Sequence, residues 1–404
     1  MRNSTPHLES PSTRGNAMRR ILIIAGLFCA SWAGATDYYT SPSATGGGTG
    51  TYASPFTLQE GVDATSAGDL LIVIAGTYLL TGTDNIDFDT NTGTPDAPIR
   101  ISGRDATTTA TEALATIVGT GLTAGQNIFD MTLISVILLD NLRLTDSPQY
   151  NVYDNGSIVS CWRDCRFDNA DSDGYYVATT SGGRFFLRCE IDSCSATGFR
   201  GSTVARGLPS FDHSTIHDNG SHGLMSGMTG SEEYMFPTLS SSLIYDNGGS
   251  GFSSNSSSNY FGVVAQNSTF WGNTGDGINL ESAIGVSQIT NCIMVDNGGY
   301  GINFNGDTNN YAWVERVCSY NNTSGHTDIN GGVFPGAGHV LADPQFVSVV
   351  DGSEDLTPQN TNLSIERAFP AGGSDYSYIG AIQPECTGVA GGGGPLVGPG
   401  RLAR

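Results

Sequence analysis

An internal repeat in the middle of the chain limits what this sequence can fold into more than any other feature. Aligning on a glycine that precedes an apolar residue gives Gly174, Gly198, Gly223, Gly251, Gly277 and Gly301, at steps of 24, 25, 28, 26 and 24 residues. Seven residues before each glycine stands an apolar side chain: Phe167, Ile191, Ile216, Ile244, Phe270 and Met294. Nine before stands a small one: Cys165, Cys189, Ser214, Ser242, Ser268 and Cys292. One after stands another apolar residue: Tyr175, Phe199, Leu224, Phe252, Ile278 and Ile302. Self-similarity at such a period marks a stack of identical supersecondary units. Within each unit, short runs such as 268–271 and 277–280 alternate apolar and polar residues, which is the strand period. The unit is too short for a propeller blade and has no helix-length apolar stripe. Three short strands and their turns make it one coil of a parallel β-helix. Four residues before the glycine, Asn219, Asn247, Asn273 and Asn297 form a further column. Stacked amides bond one another and asparagine tolerates left-handed bends, so this column is structural.

The ends of the chain differ from the repeat. Met18, Arg19 and Arg20 form a basic flank, residues 21–30 an apolar run, and Ala33-Gly34-Ala35 a small-residue cleavage pattern. Residues 1–35 therefore look like an export leader. No later run reaches the ~18 apolar residues needed to span a membrane. The expected organisation is a leader at 1–35, a β-helix domain at 36–385 and a glycine-rich flexible tail at 386–404. That predicts a secreted or cell-surface protein. Seven cysteines follow the leader, an odd number with no C-x-x-C pair, which argues against zinc and thioredoxin-like sites.

With these columns in place, the chain resembles the right-handed parallel β-helix proteins of the pectin-lyase-like superfamily. The stretch DYYTSPSATGGGTGTYASPFTLQEGVDATSAGDLLIVIAGTY matches their opening segment. There Ser54-Pro55 is expected to start a short helix through Ala64, with Phe56, Leu58 and Val62 as its apolar side, covering the first coil. The stretch LADPQFVSVVDGSEDLTP, followed by YIGAIQP, is similar to the closing segment of choice-of-anchor surface β-helix proteins, with their usual run degraded to residues 361–365. The resemblance implies a polysaccharide lyase, a glycoside hydrolase, an esterase, an epimerase or a non-catalytic surface protein. A fold does not choose among these.

Charge narrows the choice. All 17 basic residues are arginine, against 39 acidic residues, for a net charge of −22. Nucleic-acid binders are usually basic, so that class is set aside. Lyases with a lysine base are excluded, whereas an arginine base stays open. Of the eleven arginines between Asp37 and Glu385, seven fall together: Arg143, Arg163, Arg166, Arg184, Arg188, Arg200 and Arg206. Guanidinium forks match carboxylates and sulfates, so a uronate or sulfated polysaccharide is the expected partner.

Two faces emerge as candidate sites. On the first, Asp164, Arg188 and His213 stack ten residues before the glycine, and Asp168, Asp192 and His217 six before, with Arg166 beside Glu190. Coils lie ~4.8 Å apart, so these columns are within contact. The functional reading takes Arg188, His213 or His217 as base, Arg163, Arg166, Arg184 and Arg200 as substrate-binding groups, and Trp271 as a sugar platform. Asp168 and Asp192 are candidate calcium ligands, calcium being a hard cation that takes oxygen. The structural reading makes the same residues cross-coil salt bridges. On the second face, two residues after the glycine, stand Tyr176, Arg200, Met225, Ser253, Asn279 and Asn303, with Asp173 and His222 nearby. Tyrosine and histidine share proton transfer in β-elimination while arginine holds a carboxylate. The asparagine ladder makes the glycine-led strand the third of each coil, which favours the first face.

A polygalacturonase pattern matches only in Asp173 and His222. Its Asp-Asp pair is absent, and glycoside hydrolysis needs two carboxylates. The expectation is an all-β, right-handed parallel β-helix acting as a lyase on an acidic polysaccharide. Non-catalytic glycan binding at a cell surface and polygalacturonase-type hydrolysis are the alternatives, and whether the chain is an enzyme stays open at this point.

Overall fold

The computed structural model describes residues 35–359, apart from 89–92, 106–110, 133–135, 181, 206–207, 227–235, 256–261, 282–285, 305–310, 329–338 and 351–353. The leader, Arg206, Tyr260, residues 361–365, Cys386 and the glycine-rich tail lie outside the described residues.

Each repeat unit forms three strands that pair in parallel with the same strands of its neighbours. One coil comprises Val159–Arg163, Arg166–Asp168 and Tyr175–Thr180, and the next Gly183–Leu187, Glu190–Asp192 and Phe199–Ala205. Among the described residues, stacking builds three parallel sheets of eleven, ten and ten strands, here numbered first, second and third in the order the chain visits them. This is the all-β parallel β-helix expected from the repeat.

The apolar columns form the core. Phe167, Ile191, Ile216, Ile244, Phe270 and Met294 are register partners on the second sheet, and all are buried. Trp162, Phe186 and Phe211 do the same on the first sheet, as expected of a core column. Phe186 and Phe211 stack at 4.6 Å. The repeated glycine has a steric cause. A Cβ on Gly174, Gly198, Gly223, Gly251 or Gly277 would meet the carbonyl oxygen of the next coil's glycine at 2.6–2.8 Å.

The corners correct two expectations. The ladder exists: the Nδ2 of Asn219, Asn247 and Asn273 donates to the Oδ1 of the next asparagine at 2.9–3.0 Å, and Asn297 donates to Asn322 at 2.8 Å. Its members are not the left-handed residues, however. The residue before each one is: Asp218, Asp246, Gly272, Asp296 and Asn321, with φ between 48° and 63°. The asparagine then turns inward to satisfy corner backbone. Likewise Asp164, Arg188 and His213 are not strand positions. They are the left-handed corner between the first and second sheets, with φ of 53°, 52° and 50°.

The helix spans Leu58–Ala64, shorter than expected from Ser54-Pro55. Its start is set by a capping box, in which Thr57 accepts from the Glu60 N–H and Glu60 accepts from the Thr57 N–H. Leu58 and Val62 are buried, while Phe56 bridges to Thr40. After the last coil, Val340 joins Ile293, Val295 and Cys318 in an apolar cluster on the outer side of the second sheet, with Trp271, Ala342 and Phe346 packed against it. An antiparallel hairpin, Phe346–Ser348 with Asp355–Pro358, follows. The six described cysteines are free and buried. No described helix is long and apolar enough to cross a membrane.

Candidate functional site

The first candidate face, on the second sheet, is closed by its own charges. Arg143 grips Asp168 with both Nε and Nη2, at 2.9 and 2.5 Å. One coil on, Arg166 grips Asp192 in the same way, at 3.0 and 2.8 Å. Both carboxylates are buried. His217 is bonded on both ring nitrogens, to Glu190 at 3.1 Å and to Asp218 at 2.7 Å, and its ring stacks on Tyr245 at 4.7 Å. Burial alone would lower the pKa of His217. The Asp218 and Glu190 hydrogen bonds and the Asp192 charge outweigh it and raise the pKa to about 9. A histidine already protonated at neutral pH is no base there. Trp271 donates from its indole to Asp296 and is partly buried against the apolar cluster of Ile293, Val295, Cys318 and Val340.

Among the described residues, one group is compatible with a metal. Ligand atoms of Glu190, Asp192 and His217 lie within 4.8 Å of one another. Asp168 is not part of it. A cation there competes with Arg166 for the oxygens of Asp192.

The corner residues lie beside acids as well. Arg188 is exposed and pairs bidentately with Asp164 at 2.7 and 2.6 Å. The Nδ1 of His213 lies 3.0 Å from the carboxylate of Asp212, the residue before it, and its side chain is half exposed. Arg163 bridges Glu112 at 2.6 Å and also holds Asp140. Arg184 is the largest correction. It is 1% exposed and points into the solenoid, where it pairs with Asp154 and cannot touch a polysaccharide. Spacing showed a basic residue, and the alternation of the strand turned it inward.

The second candidate face, on the third sheet, is exposed at Arg200. One register column reads Asp130, Tyr153, Tyr176, Arg200, Met225, Ser253, Asn279 and Asn303, one residue per coil. Tyr150 lies just ahead of the Tyr153 strand. The three phenol rings are nearly parallel, with centroids 4.6 Å apart for Tyr150 and Tyr176, 5.9 Å for Tyr153 and Tyr176, and 6.1 Å for Tyr150 and Tyr153. The Arg200 guanidinium lies 5.9 Å over the Tyr176 ring. Among the described members of the arginine cluster, Arg200 alone makes no hydrogen bond to a carboxylate. Its nearest acid is Asp173, at 3.7 Å, and its side chain is 42% exposed. Its Nε and the Oδ2 of Asp173 are both buried without a hydrogen-bond partner. Burial raises the Asp173 pKa above the usual carboxylate range. Burial and the neighbouring Asp173 charge push the Tyr150 hydroxyl up, and burial and Asp130 do the same to Tyr153.

Asp173 and His222 share a structural duty. Asp173 accepts the Thr197 N–H at 3.0 Å, and the Nδ1 of His222 accepts the Ser250 N–H at 2.9 Å. The histidine proton therefore sits on Nε2, a tautomer that offers no base at Nδ1. Asp173 is fully buried, which removes one of the two residues behind the polygalacturonase match.

Tyr150 and Tyr153 were absent from the sequence columns because Asn151 replaces the repeat glycine. A step of 23 residues back from Gly174 reaches Asn151 and would have exposed both tyrosines.

Residues 151–324 match the family described as the right handed beta helix region. No curated protein matches the sequence. Among solved structures, pectate lyase Pel9A is similar over 87% of this chain and 97% of its own, with 15% identity and a TM-score of 0.63. The mannuronan C-5 epimerase AlgE4 A-module of Azotobacter vinelandii covers 71% of this chain and 95% of its own, at 13% identity and a TM-score of 0.36. A rhamnogalacturonan lyase covers 78% and 91%, at 12% identity and a TM-score of 0.36. At 15% identity, the likeness to the pectate lyase is one of fold.

Proposed function

We propose that this chain binds an acidic polysaccharide across the outer face of the third sheet and cleaves it by β-elimination. The carrying observation is Arg200. Every other described arginine of the cluster is bonded to a carboxylate, whereas Arg200 is half-exposed, cushioned on Tyr176 and unbonded. A uronate carboxylate on Arg200 would be neutralised, which acidifies the adjacent C–H. Tyr176, beside it, is the group placed to pass that C–H proton to the departing glycosidic oxygen, the C–H electrons closing the new double bond and the C–O electrons leaving on the oxygen. The three phenol hydroxyls offer hydrogen bonds to sugar hydroxyls. The likeness in fold to a pectate lyase supports this reading. The leader-like segment at 1–35 supports export to the periplasm or cell surface, which fractionation of expressing cells would test.

Non-catalytic glycan binding is favoured by a different observation. His222 has its Nδ1 engaged, and the hydroxyls of Tyr150 and Tyr153 are pushed up, so none of the three is a ready base. The two readings separate in one experiment. The purified chain is offered polygalacturonate, alginate and sulfated glycans, with and without calcium, and both binding and unsaturated product are measured. Arg200→Ala and Tyr176→Ala should each lower affinity about tenfold without changing Tm. Binding without product selects the non-catalytic reading. Absence of both overturns the polysaccharide assignment.

A further inference from the structure

Behind the tyrosine face lies a buried polar cluster that neither reading uses. In the strand Val152–Asn155, Tyr153 points out and Asp154 points in. In its partner Tyr175–Thr180, Tyr175 points in and Tyr176 points out. The Asp154 carboxylate is fully buried and accepts five hydrogen bonds. Ser157 supplies two, at 3.1 and 2.5 Å, Tyr175 one at 2.8 Å, and the fork of Arg184 two, at 2.9 and 3.1 Å. Arg184 also donates to the carbonyls of Gly182 and Ser157. The cluster thus ties the third sheet to the following strand of the first sheet. It sits where strand pairing becomes irregular, since Asp154 pairs with Val177 but Asn155 pairs with Thr179. Irregularities of this kind re-aim neighbouring side chains.

Stability alone does not require an ion pair here. Apolar residues of similar volume often serve as well as a buried pair. This molecule supplies its own examples. Met131 holds the register position of Asp154 one coil earlier, and Ile137 that of Arg184 two coils earlier, both buried. What the charged pair adds is direction, because each of its bonds fixes an angle as well as a distance.

We infer that the Asp154–Arg184 pair is a positioning element that sets how Tyr153 and Tyr176 stack on the outer face. Only its effect on affinity rests on the reading of that face as the binding surface. The test is the double variant Asp154→Met/Arg184→Ile, which copies the neighbouring coils. The near-ultraviolet circular dichroism of the stack is first defined as the difference between the parent and Tyr176→Ala. The double variant should keep the parent's far-ultraviolet spectrum, lose about half or more of that difference signal, and bind polygalacturonate about tenfold more weakly. A folded double variant with an unchanged near-ultraviolet signal and affinity overturns the inference. If it does not fold, Arg184→Lys, which keeps the charge and loses the fork, carries the same readouts. If Tyr176→Ala leaves affinity unchanged, the binding-face reading fails, and the spectrum alone still judges the positioning role.

Discussion

Whether a charged side chain here is structural or available depends on what stands one coil away. Arg143 and Arg166 each find a buried carboxylate at that distance, while Arg200 finds only a carboxylate 3.7 Å off and a phenol ring. His217 is the sharpest case. It is held charged by the carboxylates of Glu190, Asp192 and Asp218, with its folded pKa raised to about 9 against an ordinary value near ~6.5. The folded state therefore holds this proton more tightly than the unfolded chain. The stabilisation is complete below pH ~6.5 and is lost as pH rises through about 9. Urea unfolding should show a drop on the order of a few kcal/mol across that window, and His217→Gln should flatten it. An equal slope in the variant would mean that another group carries the proton.

Among the elements, the corner between the second and third sheets is held by side-chain amides as well as by strand pairing. The Nδ2 of Asn247 donates to the carbonyls of Ile216 and Tyr245 and to Asn273, and its Oδ1 accepts from the backbone and side chain of Asn219. Asn247→Ala would leave several buried polar groups without partners, each costing roughly 1–3 kcal/mol. The total expected is about 3 kcal/mol or more, read as a lower denaturation midpoint with an unchanged m-value. A loss below about 1 kcal/mol would show that water replaces the amide. The corner between the first and second sheets depends on left-handed residues. That explains why Arg188 and His213, which read from spacing as strand residues, stand exposed on bends.

For the whole molecule, the returning C-terminal segment covers an apolar strip on the outer second sheet. Truncation before Val340 should uncover Ile293, Val295 and Trp271. The expected result is binding of an apolar dye and self-association, with polysaccharide affinity retained because the third sheet is untouched. Loss of affinity on truncation would move the ligand to the second sheet. The period of 24 to 28 residues, its small and apolar columns and its glycine already specified a β-solenoid, because equal positions on successive coils must be neighbours. The same logic placed Tyr176 beside Arg200 and Asp168 beside Asp192. It stopped at Asn151, where the missing glycine hid Tyr150 and Tyr153. It was not carried to Arg184, which stands two residues before the core residue Phe186 and so shares its inward face, and it gave no means of telling a corner from a strand. Those outcomes depend on strand alternation, left-handed bends and the carboxylate of the adjacent coil. Sequence spacing alone determined which residues become neighbours. The tertiary structure decided which neighbours satisfy one another, leaving Arg200 on the third sheet half exposed and without a carboxylate hydrogen bond.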